Sequence, residues 1–150
     1  MALNHDRVGH RYSSYAYEVS REKVREYATA TGVGEPAYRA DPVDVPSHEL
    51  IAPPAFAACF TVGRLDVLLD DPELGAHPGL VHTQQSFTYH QPIRVGSTLR
   101  CTPQITDIAA RSRMEALTVS TECVDDATGE PVVTGVSTLV FSSSPTRADA

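Results

Sequence analysis

The sequence predicts an α+β fold in which one antiparallel sheet wraps around one long apolar helix. Residues 51–70 form the most apolar stretch and carry hydrophobic side chains on several helical faces, which is typical of a buried helix. The segments that follow alternate between apolar and polar residues, as strands do. Short links join these segments, and short links favour antiparallel neighbours.

The chain opens with a short strand and a helix. Residues 15–19 alternate and are rich in Tyr and Val, which predicts a strand. Ser20 is a favourable N-cap for a helix over "REKVREYATATG", and Gly32 ends that helix. Residues 33–50 hold three prolines and several Asp residues, which indicates a loop.

The central helix and four long strands complete the prediction. Pro53 and Pro54 fit the first turn of the helix, where no N–H partner is lost. The predicted strands cover 80–90, 97–110, 112–125 and 130–144. Their connections, including "QPIRVG" and a tight break near Ala110–Arg111, are short enough for an antiparallel meander.

This order of elements is the hot-dog arrangement. A chain of 150 residues favours one domain, which we expect over 1–142, with a disordered tail over 143–150. One sheet with one helix leaves much of its surface uncovered. We therefore expect a dimer with a continuous sheet.

Composition excludes several classes of function. The net charge of −7 argues against binding nucleic acid or anionic lipid, both of which need a basic face. Neither a transmembrane run nor a signal-peptide core is found, so we expect a cytoplasmic protein. Three distant cysteines predict neither a disulfide frame nor a zinc site, and Cys59 is interpreted as a buried structural thiol. An acidic carrier protein would need a basic patch, whose scattered candidates are Arg94, Arg100, Arg111 and Arg113.

Three segments carry a resemblance to a known family. They are "VSREKVREYATATGVGEPAY" (19–38), "LIAPPAFA" (50–57) and "VHTQQSFTYHQPIRVGSTL" (81–99). The chain resembles the MaoC-like (R)-specific hydratases and dehydratases. It resembles most their N-terminal-domain branch, found in the non-catalytic subunits of (3R)-hydroxyacyl-ACP dehydratases. This resemblance implies the addition or removal of water across the 2,3 bond of an acyl thioester.

The chemistry of that family needs an Asp and a His on the loop after the first helix, as general base and acid. It also needs a backbone N–H at the start of the central helix for the thioester oxyanion. Aligned on this chain, with Glu35-Pro36 in the place of Asn-Pro, the Asp position holds Val33 and the His position holds Tyr38. Pro54 takes the place of the Gly that donates the N–H, and proline has no N–H. The resemblance therefore implies a chain with no catalytic residue in the usual places.

A few residues are weak substitutes for the missing groups. Glu35 is either a displaced base or a solvated turn carboxylate, and Tyr38 is either a gate to the substrate tunnel or a core tyrosine. His48 precedes the central helix and is the best substitute acid or base. His82 and His90 are expected to share one face of a strand, where hydrogen-bonded strand histidines are the default interpretation. No pair of histidines has metal-binding helical spacing, so neither a metal nor another cofactor is expected.

An acyl tunnel is expected beside the start of the central helix. The residues expected to bind substrate there are Tyr38, Pro53, Pro54, Phe56, Ala57 and Phe60. Ordinary core packing explains the apolar members of this set equally well.

Two functions of different class are compatible with these features. The first is an acyl-binding, non-catalytic subunit of a heterodimeric (3R)-hydroxyacyl-thioester dehydratase in fatty-acid or polyketide synthesis. Its partner is a catalytic MaoC-like hot-dog subunit, and its substrate is acyl-ACP or acyl-CoA. The alternative is a homodimeric hot-dog hydratase or thioesterase using non-standard residues, with Glu35 or Glu49 as the carboxylate for hydrolysis. A weaker third possibility is an acyl-binding scaffold without an enzyme partner.

Overall fold

One five-stranded antiparallel sheet dominates the computed structural model, which describes residues 2–39, 49–76 and 79–142. The order of the strands across the sheet is β1-β3-β4-β5-β2. The strands are β1 (Tyr15–Glu18), β2 (Leu80–Tyr89), β3 (Thr98–Arg111), β4 (Met114–Asp125) and β5 (Pro131–Ser142). One face of this sheet packs on the central helical segment, so the predicted α+β hot-dog class is confirmed. The tail expected over 143–150 lies outside the described residues.

The predicted meander holds only for β3, β4 and β5. β2 pairs with β5 at the far edge of the sheet rather than with β3. The link after β2 forms no hairpin because its backbone bonds elsewhere: the Ala52 N–H donates to the Ile93 carbonyl at 2.7 Å, and the Gly96 N–H donates to the Val19 carbonyl at 2.8 Å. This link therefore carries the chain from β2 to β3 without pairing the two strands. The turn between β3 and β4 also falls two residues later than predicted, at residues 112–113.

The first helix, α1 (Arg21–Thr31), has the predicted caps. The Ser20 hydroxyl accepts a hydrogen bond from the Lys23 N–H at 3.1 Å, and Gly32 ends the helix in the left-handed conformation, with φ 71°. The next residues were expected to form a loop throughout, but they contain a short helix, α2 (Pro36–Arg39). Proline is favourable at the first position of a helix, which explains where α2 begins.

The central segment is helical but broken, unlike the single helix expected over 51–70. It consists of α3 (Ala58–Thr61), a 3-10 turn (Val62–Arg64) and α4 (Asp66–Leu69). A turn over 54–57 delays the start of α3 because Pro54 and Ala55 hold the backbone out of helical geometry. Phe56 and Phe60 are fully buried, so the segment still forms the centre of the core.

Aromatic packing and one glycine fix this segment against the sheet. The Phe56 ring meets the Tyr27 ring edge to face, with centroids 5.4 Å apart, and the Tyr15 hydroxyl donates to the Phe60 carbonyl.

Gly135 of β5 lies directly beneath the helical segment. A Cβ atom at Gly135 would lie 3.1 Å from Cγ2 of Thr61, so only glycine fits there without a shift.

An N-terminal arm closes the opposite end of the core. The Asp71 side chain is 7% exposed and accepts hydrogen bonds from the Arg7 guanidinium and the Tyr12 hydroxyl, each at 2.7 Å. The arm also brings the Leu3 N–H to the buried Glu115 carboxylate at 2.7 Å. These contacts join residues more than 50 positions apart and hold the arm on the sheet.

The three thiols are free and occupy core positions of different depth. Cys101 and Cys123 are buried and face each other across β3 and β4. Cys59 was interpreted as a buried structural thiol, but it is only partly buried and is the least buried of the three.

Candidate functional site

A cavity of about 350 Å³ lies between the start of the central segment and the end of β2. Its apolar lining comes from Ile51, Ala52, Pro54, Pro92 and Ile93. Its polar lining comes from Tyr38, Tyr89, His90 and Gln91. An apolar pocket with a few polar groups is the usual form of a small-molecule site.

Backbone hydrogen bonds bring three separate segments to this cavity. The Ile51 N–H donates to the Ala37 carbonyl of α2 at 3.1 Å, which places Tyr38 beside the start of the central segment. Ile51 also pairs with Arg94 in an isolated bridge that fixes the link after β2. The cavity is therefore built into the backbone pairing of the fold.

A tight turn shapes the wall of the cavity at the expected oxyanion position. The Phe56 N–H donates to the Pro53 carbonyl at 3.0 Å, which closes a four-residue turn with Pro54 and Ala55 at its centre. Proline fixes the first central position, and the second, Ala55, has φ 68°. These are the features of a type II turn, which requires a positive φ at the position of Ala55.

The amide that follows Pro54 is already engaged. The Ala55 N–H donates to the Tyr89 hydroxyl at 3.3 Å. Pro54 has no N–H, so neither residue presents a free backbone donor at the position expected to hold the oxyanion. Burial raises the pKa of Tyr89 above its usual value, with a smaller contribution from Tyr27, so the phenol remains protonated at neutral pH.

The residues aligned with the family's base and acid do not meet at this cavity. Tyr38 lines it together with Pro54. Val33 lines a separate cavity of about 250 Å³, formed with the end of α1. Glu35 is exposed, and its carbonyl accepts the Tyr38 N–H at 3.0 Å. His48, the best substitute named above, lies outside the described residues.

The expected substrate-binding residues divide into two groups. Tyr38 and Pro54 line the cavity. The buried residues outside the cavity lining are Pro53, Phe56, Ala57 and Phe60. Their role in lining a tunnel stays a prediction, since the same packing serves the core.

A β-bulge changes the expected placement of the strand histidines. The register of β2 against β5 shifts between His82 and Gln84, and His82 lies opposite Leu139, which is buried on the core face. His90 instead lies 3.2 Å from the Thr134 hydroxyl, and Thr134 is on the other face. The prediction that His82 and His90 share a face is therefore wrong, because the bulge adds one residue between them.

Several residues of the site were missed from the sequence. Tyr89, His90 and Gln91 contribute polar groups to the cavity, and all three lie within "FTYHQPI". This stretch carries part of the family resemblance, which was the sequence feature that could have pointed to these residues. Tyr89 and Gln91 received no role, and His90 was interpreted only as a hydrogen-bonded strand histidine, because strand alternation alone does not tell which side chains meet a distant loop.

The candidate carrier-binding arginines do not form one patch. Arg100 and Arg111 are near opposite ends of β3, roughly 35 Å apart at the usual rise per residue. Arg100 also lies 3.3 Å from the Asp126 carboxylate.

In the part of the chain that the structure describes, no cluster of three metal-binding side chains occurs. Over the same residues, no helix has the length and hydrophobicity to cross a membrane.

Comparisons with known proteins identify relatives along nearly the whole chain. A family model described as "FAS1-like, dehydratase domain region" matches residues 6–135. A UPF0336 protein of Saccharopolyspora erythraea is 40% identical over 145 residues, covering 93% of this chain and 92% of that protein. A UPF0336 protein of Streptomyces coelicolor is 39% identical over 144 residues, covering 93% and 95%.

Solved structures show the same fold. A chain in the C-terminally truncated HadBC (3R-hydroxyacyl-ACP dehydratase) complex of Mycobacterium tuberculosis is 25% identical, with a TM-score of 0.74, over 91% of this chain and 98% of that one. A MaoC-like dehydratase is 28% identical, with a TM-score of 0.75, over 92% of this chain and 43% of that one. The protein therefore belongs to the FAS1-like dehydratase domain family of MaoC-like hot-dog proteins.

Proposed function

We propose that this chain is the acyl-binding, non-catalytic subunit of a two-chain (3R)-hydroxyacyl-thioester dehydratase. Its partner is a catalytic MaoC-like hot-dog chain that supplies the Asp, the His and the oxyanion donor. The substrate is an acyl thioester of ACP or CoA from fatty-acid or polyketide synthesis. One structural neighbour belongs to a complex named for this reaction on an ACP substrate.

The state of the three catalytic positions carries the proposal. Val33 cannot exchange a proton, and Tyr38 offers a phenol where the family's chemistry uses an imidazole. Pro54 lacks the N–H, and the next amide is bonded to Tyr89. The cavity nevertheless keeps an apolar lining suited to an acyl chain. Binding without chemistry fits these features best.

The edge of the sheet supports the presence of a partner chain. β2 has ten residues and contains no fully buried side chain, and among the described residues it pairs only with β5. Val81 is 61% exposed on this strand. A long unprotected edge strand favours pairing with another chain, and natural proteins cover such edges. A second hot-dog sheet added to β2 would meet that need beside the cavity.

The test compares the chain alone with the chain co-purified with a catalytic MaoC-like subunit. We expect no dehydration of a 3-hydroxyacyl thioester by the chain alone and clear turnover by the pair. A pair whose partner lacks its Asp and His is the control and should be inactive. Native mass spectrometry should show a one-to-one complex.

Robust turnover by the chain alone would overturn the proposal. Dehydration by the chain alone would favour the alternative of a homodimeric hydratase using non-standard residues, and hydrolysis of the thioester would favour a homodimeric thioesterase. Replacing Glu35 and Glu49 together would then decide between the two chemistries, since hydrolysis needs a carboxylate near the start of the central segment. Loss of hydrolysis in that variant would identify a thioesterase.

A further inference from the structure

We propose that the Tyr89 hydroxyl is the group through which this chain binds the carbonyl of its ligand, in place of the missing backbone donor. The ligand is a neutral carbonyl compound with an apolar arm, either a thioester or an amide. This inference rests on the proposed acyl-binding function and names the residue that gives it specificity.

The position of Tyr89 is the first support. Tyr89 lines the cavity together with Pro54 and is 41% exposed, so a ligand can reach it. In the part of the chain that the structure describes, its hydroxyl donates to no other group. A phenol has one proton and can accept as well as donate. Since the oxygen accepts the Ala55 N–H, the proton is left for a ligand.

The turn at Ala55 is the second support. An alanine with φ 68° is held in a conformation that L-residues avoid, and such outliers often mark binding sites. Here the turn directs the Ala55 N–H at the Tyr89 oxygen. An N–H bonded to a hydroxyl oxygen polarises the O–H, which makes it a better donor. The backbone N–H of Ala55 thus strengthens the hydrogen bond that Tyr89 can donate to the ligand.

The rest of the lining selects a neutral ligand. Ile51, Ala52 and Ile93 provide apolar surface, and the described lining contains no Lys or Arg. Its one imidazole, His90, lies 3.2 Å from the Thr134 hydroxyl and is engaged there. An uncompensated carboxylate would lose its hydration in such a cavity without gaining a cation. A carbonyl oxygen needs only one donor. The raised pKa of Tyr89 keeps that donor protonated over the whole neutral range.

The test measures binding by the full chain of an acyl N-acetylcysteamine thioester and of the matched thioether, which lacks the thioester carbonyl. Wild type should prefer the thioester by about 5-fold, the usual net effect of one hydrogen bond. Tyr89→Phe should lose that preference and keep its affinity for the thioether. Tyr27→Phe is the matched control: the Tyr27 ring packs on Phe56, Tyr27 is not part of the cavity lining, and the variant should behave as wild type.

An infrared spectrum of the labelled thioester carbonyl supplies a readout that packing changes would not reproduce. The bound carbonyl should absorb at lower frequency in wild type than in Tyr89→Phe. If Tyr89→Phe weakens thioester and thioether equally, the role of Tyr89 holds only if the absorption of the amide carbonyl that both compounds share also shifts between wild type and variant; equal weakening without that shift overturns the inference. Unchanged binding in Tyr89→Phe, or no binding of either compound at millimolar concentration, overturns the inference. Failure of the dehydratase assay with the partner would leave these results unaffected.

Discussion

The turn at Ala55 makes a quantitative prediction about stability. An L-residue in the left-handed region costs about 1–2 kcal/mol, whereas glycine adopts it freely. Introducing glycine also loosens the unfolded chain, which offsets about 0.5–1 kcal/mol of that gain. Ala55→Gly should therefore stabilise the protein by about 0.5–1 kcal/mol. Glycine is also the preferred residue at this position of a type II turn.

The matched control is Ala30→Gly, since Ala30 is likewise exposed but lies in α1. Glycine in a helix costs about 0.5–1 kcal/mol relative to alanine. The two variants should thus shift the urea midpoint in opposite directions. For a chain of this length, the difference corresponds to melting temperatures about 2–8 °C apart. All samples are compared at one protein concentration, because dimerisation would add to the apparent stability. An equal loss of stability in both variants would refute the left-handed turn.

Two further predictions test the core and the arm. Gly135→Ala should destabilise the protein by about 1–3 kcal/mol in urea denaturation because its Cβ meets the helical segment. Gly63→Ala has open space around its Cβ in a helical turn and should be neutral or stabilise by up to about 1 kcal/mol. Equal effects of the two substitutions would contradict the close approach at Gly135. At Asp71, burial acts to raise the pKa, but hydrogen bonds from Tyr12 and Arg7 outweigh it and hold the pKa below its usual range. The ionised Asp71 carboxylate therefore stabilises the fold above about pH 4, and this contribution to the free energy of unfolding is lost as the pH falls through the lowered pKa. Asp71→Asn should make the free energy of unfolding depend less on pH in the acid range. An unchanged pH dependence would contradict the role assigned to Asp71.

Local features of the fold could be predicted from the sequence. The caps of α1 at Ser20 and Gly32 were correct because capping depends on residues three or four positions away. The strand bounds were correct to within about two residues because alternation is also local. The break in the central segment is local too, but the proline pair was assigned to a first helical turn. The sequence does not indicate a type II turn here, because Ala55 stands where such a turn usually has a glycine.

Long-range features could not be predicted. The pairing of β2 with β5 depends on backbone bonds of the link after β2, and strand patterns do not encode them. The bulge in β2 adds one residue without a sequence signal and reverses the face of His82. In the site, Tyr38 and Pro54 were named from the resemblance, whereas Tyr89 was missed. Its partner Ala55 is 34 positions away, and only the folded sheet brings them together.

Pro54 connects the two halves of the proposal. The family resemblance implies a glycine N–H donor at the position of Pro54, and proline has no N–H to offer. The same residue fixes the first central position of the turn, which places Ala55 in the left-handed region. The turn directs the next N–H at Tyr89, whose hydroxyl then faces the cavity as a donor. A single proline thus accounts for both the lost oxyanion donor and the gained tyrosine donor. A side chain that binds a carbonyl without the base and acid beside it suits a subunit that holds substrate while its partner performs the chemistry.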